Sequence, residues 1–301
     1  MVRTHTDVGR YYDQPLASQV GVDGAGLIWF MGRDHLSPNL YNGDEIALDS
    51  SRWRDGISSR VMALARRMGI VAGDRVLDLG CGIGGPGRDI AAATGAVLCG
   101  VSVSIKQLET LRGLSQQTNS PFTGVVKGDM QRLPVASGRL DGVYSINSIY
   151  HVDDPAAVIG EAQRVLRPGG RFGVDDWFTT DITTPEQLAT LRYNWSTSAN
   201  GFHNLTAFMT EMERLGLEVI DDADYTKEAG EFLTEDRFGK VYDSQIAPTL
   251  TAVFPKLYQY EGYEPAHADQ AVAQLRSDVL YMGALYRGGA AVYRQIVGHK
   301  T

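Results

Sequence analysis

The stretch "VLDLGCGIGGP", Val76 to Pro86, sets Gly80, Gly82, Gly84 and Gly85 directly after an apolar run. Glycine at this spacing lets a backbone turn approach a ligand closely, and a helix that begins there offers it unpaired N–H groups. The four glycines satisfy both G-x-G-x-G and G-x-G-x-x-G, so the motif alone does not choose between nucleotide-like ligands. A nicotinamide dinucleotide site also wants an acidic residue at the end of the following strand. Here that strand ends "GVSVS", with no acid. Further along, His151, Asp175 and Asp176 are an imidazole and two carboxylates that could exchange a proton with a substrate. Adjacent strand residues face opposite ways, so only one of the two aspartates can address a pocket.

These residues need a scaffold, and the chain from Asp74 to Phe178 supplies one. "RVLDLG", "VLCGVSV", "FTGVVKGD", "LDGVYSINSI" and "RFGVDDWF" read as strands. Between them "GPGRDIAAATG", "IKQLETLRGLSQQT" and "DPAAVIGEAQRVLRPGG" carry helical spacing, the last closed by Pro-Gly-Gly. Alternation of this kind predicts a doubly wound α/β sheet, with ligands at the carboxyl ends of its strands. Downstream, "LTAFMTEMERLG" reads as a helix, and "LEVIDDADYT" and "AAVYRQIVGHK" as two more strands, with a helical, Tyr-rich insertion over about 227–288 between them.

Composition narrows the function classes. The 301 residues carry a net charge of -8, and clustered Lys and Arg for nucleic acid are missing. No apolar run is long enough to span a membrane and the N-terminus lacks a signal-peptide core, so a cytoplasmic protein is expected. Two cysteines, Cys81 and Cys99, predict no structural metal site.

The segments "VLDLGCGIGGPGRDIAAATGA", "GVSVSIKQ", "KGDMQRLP", "YSINSIYHV", "RVLRPGGRF" and "DDWFTTD" resemble class I S-adenosylmethionine-dependent methyltransferases, and among them the sterol C-methyltransferase-like branch. The resemblance implies a Rossmann-like, seven-stranded, mostly parallel sheet. It divides the chain into a helical N-terminal lid (1–60), a cofactor-binding core (61–181) and the remaining strands with the acceptor-binding insertion (182–301). It implies S-adenosylmethionine as cofactor. Asp78 would meet its ammonium directly or through water, a role compatible with capping the turn, and Gly80, Gly82 and Gly84 would lie along its methionine and ribose parts. Ser102, Val103 and Gln107 would replace the usual acidic ribose ligand, Asp129 and Met130 would hold the adenine, and Asn147 would stand at the methionine end. The "VGRYYDQ" segment is similar to the Tyr-Tyr-Asp segment of the branch, which places Tyr11 at the cofactor and Tyr12 among the catalytic groups. By motif alignment Asp176 is the family's acidic residue, paired with His151 as acid and base, and Asp175 is left to cap or pair. The alternative for His151 is to cap the following helix. One departure stands out: where sterol and prenyl-diphosphate C-methyltransferases carry a glutamate, this chain has Asn147.

Trp29, Phe30, Tyr193, Trp195, Phe232, Tyr258 and Tyr260 are aromatic candidates for an acceptor pocket outside the core. Arg192, Lys227, Arg237, Lys240 and Lys256 form no basic block for a diphosphate, which favours a neutral, hydrophobic acceptor. The expected activity is therefore methylation of a hydrophobic, terpenoid-like small molecule, on carbon ahead of oxygen or nitrogen. A nicotinamide-dependent oxidoreductase and a non-catalytic cofactor sensor are the competing classes, and homo-oligomerisation stays open.

Overall fold

A computed structural model describes residues 60–117, 122–194, 202–248, 251 and 265–301. Along the chain run α1 (60–67), β1 (Arg75–Leu79), α2 (Gly85–Thr94), β2 (Val97–Ser102), α3 (Ile105–Gln117), β3 (Phe122–Lys127) and β4 (Leu140–Ile146). A 3-10 turn (Ile149–His151), α4 (Pro155–Val165), β5 (Leu166–Thr179), α5 (Pro185–Asn194), α6 (Leu205–Arg214) and β6 (Leu217–Asp224) follow. The chain closes with α7 (Thr226–Phe232), α8 (Pro265–Arg287) and β7 (Ala291–Lys300).

The seven strands form one sheet in the order β3-β2-β1-β4-β5-β7-β6. Pairing from β3 to β5 is parallel, and β7 runs antiparallel between β5 and β6. Central strands read as continuous apolar runs because helices cover both faces. Edge strand β6 instead alternates, with Leu217 buried and Glu218 and Ile220 exposed. Two apolar clusters fill the layers. One gathers Phe172, Val174 and Phe178 with Ile149, Val158, Phe208 and Met212 under α4 and α6. The other gathers Trp177, Tyr144 and Tyr293 with Leu64 and Met68, Phe232 of α7 and Tyr286 of α8.

Every expected strand is present, and two boundaries move. The fourth strand stops at Ile146 because Asn147 turns to φ 47° and Ile149 enters the 3-10 turn. The helix expected to close at Pro-Gly-Gly ends earlier, at Val165, and β5 begins at Leu166. A residue before proline is pushed toward extended backbone, so Arg167 cannot continue the helix. Asp154 caps α4, its side chain accepting from the N–H groups of Ala156 and Ala157.

The insertion helix α8 lies tightly on the end of α7, where a Cβ at Gly283 would sit 2.1 Å from the Leu233 carbonyl oxygen. Gly160, in α4, has nothing within 4 Å of the same position. Gly283→Ala is therefore expected to destabilise by about 1–3 kcal/mol through overpacking, and Gly160→Ala to stabilise by about 1 kcal/mol through helix propensity. Urea unfolding of the two variants checks the contrast.

Candidate functional site

The glycine turn sits at the carboxyl end of β1. Gly80 and Cys81 donate their N–H groups to the Val101 carbonyl of β2, at 2.8 and 3.0 Å. Gly80 (φ 70°) also has no room for a side chain: a Cβ there would lie 2.5 Å from Ser148 Cβ and 3.2 Å from Met130 Cε. Beneath the turn Asp78 is buried, and its Oδ2 has no hydrogen-bond partner. Burial pushes its carboxyl up to about 7, with the Tyr144 hydroxyl drawing it partly back. No backbone N–H reaches it, so it does not cap the turn; an orphaned carboxylate oxygen beside a glycine turn is a seat for a cation such as an ammonium.

The other predicted cofactor residues line the neighbouring strand ends. Ser102 Oγ donates to Gln107 Oε1 at 2.9 Å and accepts from the Ser104 N–H at 3.1 Å, which fixes the β2–α3 turn. Half-buried Val103 lies within that turn, at the end of β2. Asp129 follows β3 and accepts the Gln131 N–H at 2.8 Å, with Met130 buried beside it. Gly82 (φ 52°) and Gly84 (φ 78°) complete the left-handed turn into α2.

On the other side of Gly80, the 3-10 turn is held from three directions. Ser148 Oγ donates to the Leu79 carbonyl at 2.8 Å. Asp176 Oδ2 accepts the N–H groups of Ser148 and Ile149 at 3.1 and 2.9 Å, and its Oδ1 accepts the Trp177 N–H at 2.8 Å. His203 Nε2 donates to the Ile149 carbonyl at 3.3 Å. Burial lowers His203 to about 4, so it makes this bond as a neutral imidazole. Burial, helped by Asp175, raises Asp176 to about 7 despite its three backbone donors.

These bonds redistribute the expected roles. Asp176 lies on the α4/α6 face, and its carboxylate fixes the turn that carries His151. His151 does not cap α4, a task Asp154 performs. Its half-buried ring lies 4.1 Å from that of Tyr150. Tyr150 stacks on Trp177 (5.5 Å) and on Phe202 (5.3 Å), forming an aromatic layer at the carboxyl ends of β4 and β5.

Asp175 faces the opposite way, as strand alternation requires. Its carboxylate accepts from Arg60 Nη2 (3.1 Å), Gln295 Nε2 (2.8 Å) and the Tyr293 hydroxyl. Tyr293 in turn accepts from Arg60 Nη2 (2.5 Å) and from Asn147 Nδ2 (3.0 Å). Sequence reading missed this buried network. Its trace was Tyr293 and Gln295, two polar residues on the same face of the last strand.

Of the aromatic candidates, Phe232 is core: it meets Phe238 edge-on, and Phe238 tilts against Tyr242. Tyr193 belongs to α5 by its backbone. Tyr11, Tyr12, Trp29, Phe30, Trp195, Tyr258 and Tyr260 lie outside the described residues.

Residues 77–174 match the family described as Methyltransferase domain. A sterol 24-C-methyltransferase of Gibberella zeae is 30% identical over 236 residues, 78% of this chain and 56% of that protein. One from Schizosaccharomyces pombe is 42% identical over 119 residues, 39% of this chain and 32% of that protein. The chain thus spans between a third and just over half of the length of these relatives. The chain belongs to the class I S-adenosylmethionine-dependent methyltransferases, in their sterol C-methyltransferase-like branch. Its cofactor is S-adenosylmethionine. A geranyl diphosphate C-methyltransferase structure from Streptomyces coelicolor A3(2) shares this methyltransferase fold end to end, with a TM-score of 0.70, 17% identity and full coverage of both chains.

The ammonium contact expected of Asp78 needs its carboxyl ionised. S-adenosylhomocysteine affinity is therefore expected to fall by up to about tenfold per pH unit below pH 7, and Asp78→Asn to weaken binding and flatten the profile in calorimetry. A buried carboxyl raised above its unfolded value of about 3.9 destabilises the fold as pH rises through about 7. Asp78→Asn should accordingly melt higher than the parent at pH 8 without cofactor, with little difference at pH 4. Gly80→Ala, which pushes on Ser148, should cost at least about tenfold in S-adenosylhomocysteine affinity.

Proposed function

We propose that this methyltransferase methylates a carbon atom of a neutral, hydrophobic, isoprenoid-bearing small molecule, through a cation on the acceptor. The observation that carries the reading is the layer of Trp177, Tyr150 and Phe202 beside His151. Aromatic faces attract positive charge where water is excluded. The curated relatives named sterol 24-C-methyltransferase support carbon as the acceptor atom. Lys227 and Lys240 lie beside Glu231 and Asp236 on the surface, so they add no basic block for a diphosphate.

When bound, S-adenosylmethionine supplies a methyl group already activated by a sulfonium. The protein's work is then to bring the acceptor double bond into line with that methyl, at about 3–3.5 Å, and to keep water out. Transfer of that methyl to the alkene π pair, with the methyl–sulfur pair returning to sulfur, would be the chemistry that the cofactor supplies. This leaves a carbocation facing the aromatic layer. His151, held on its turn by Asp176 and His203, accepts the adjacent C–H proton on an imidazole nitrogen, and that C–H pair closes a new double bond. Tyr12, Tyr11 and the aromatic residues Trp29, Phe30, Tyr193, Trp195 and Tyr258 are assigned by this reading to closing and lining the acceptor side.

His151→Asn should lower turnover by about 100-fold or more while leaving S-adenosylhomocysteine affinity within twofold; full activity would remove His151 from the reaction. Incubation with methyl-labelled S-adenosylmethionine and terpenoid, indole, phenolic and sugar acceptors locates the transferred group. Label on carbon of a terpenoid is the expected result. Label on oxygen or nitrogen would replace the cationic route with deprotonation of an acidic acceptor by His151.

A further inference from the structure

Asn147 occupies the seam between the cofactor turn and the buried Asp175 network. Its N–H donates to the Asp175 carbonyl at 2.8 Å, and its φ of 47° swings the side chain away from the strand direction. The next residue, Ser148, is the wall against which Gly80 has no room. The amide has one orientation that its neighbours allow. Tyr293 has a single hydroxyl proton and gives it to Asp175, so toward Asn147 it can only accept. The atom facing Tyr293 is therefore Nδ2, and the carbonyl oxygen is turned the other way. That Oδ1 is shut off from solvent and has no hydrogen-bond partner.

A buried acceptor atom left without a partner, in a side chain pinned by a charged network, is a group held ready for a ligand. β4 pairs with β1, which carries Asp78, and Asn147 stands between the end of β4 and Tyr150 of the aromatic layer, so a positively charged ligand group suits the place. We propose that Asn147 Oδ1 faces the sulfonium methyl of the cofactor and discriminates S-adenosylmethionine from S-adenosylhomocysteine, with Tyr293, Asp175 and Arg60 acting as positioning residues that fix the amide. The inference rests on the methyltransferase reading above. A neutral oxygen suits the place: it offers lone pairs to a polarised methyl C–H without setting a further negative charge beside Asp175, which already shares Arg60 with Tyr293.

Calorimetric titration of the full chain with S-adenosylmethionine and, separately, with S-adenosylhomocysteine tests this without an acceptor. Asn147→Gly removes the oxygen and keeps a residue that tolerates positive φ. Tyr293→Phe keeps the oxygen and removes its pin. In both variants the Kd for S-adenosylhomocysteine should stay within twofold, and the Kd for S-adenosylmethionine should rise about fivefold. Equal weakening of both ligands, or an unchanged ratio, overturns the inference and leaves the cofactor site intact. A parent protein that binds neither ligand overturns the methyltransferase reading itself. Should Tyr293→Phe fail to fold, Asn147→Gly decides alone.

Discussion

Three carboxylates are buried at the carboxyl ends of the central strands, and the local structure follows from how each is compensated. A carboxylate removed from water needs donors, a cation or a proton. Asp176 takes three backbone N–H groups, and in doing so bends the chain after β4 into the turn that carries His151. Asp175 takes a guanidinium, an amide and a phenol, and thereby ties α1 and β7 to β5. Asp78 has the Tyr144 hydroxyl beside it, and its Oδ2 has no hydrogen-bond partner. The first two order the chain around the ends of β4 and β5, and the third stays buried beneath the glycine turn.

The scaffold was legible because its signals are local. Strands buried on both faces announce themselves as apolar runs, and Gly84 and Gly95 bracket α2 with left-handed caps. The boundary errors were local as well: one proline, Pro168, decided where a helix became a strand. The parity argument for Asp175 and Asp176 was sound but incomplete. Which of the two faces the insertion depends on pairing with β7, 120 residues away between Asp175 and Gln295, and short-range pattern carries no register information over that distance.

The layer of Tyr150, Trp177 and Phe202 was not anticipated, for a different reason. Aromatic residues in the insertion attracted attention because they stood outside the core motifs. Tyr150 and Trp177 lie inside "YSINSIYHV" and "DDWFTTD", and nothing in their spacing singles them out. Their stacking follows from β5 running past the end of β4, which sets Trp177 above the turn after Ile146. Phe232, in the insertion, is buried in the core and meets Phe238 edge-on.

Ser148 belongs to both halves of the site. Its side chain bounds the space over Gly80, and its backbone N–H is one of the two that Asp176 fixes on the turn of His151. A residue shared in this way makes the two halves thermodynamically linked. Whatever free energy a ligand spends settling the glycine turn is returned, with the same sign and size, to a ligand ordering the histidine turn. Occupancy on one side of Ser148 is thus information on the other, and the order in which two molecules arrive becomes a property of one serine.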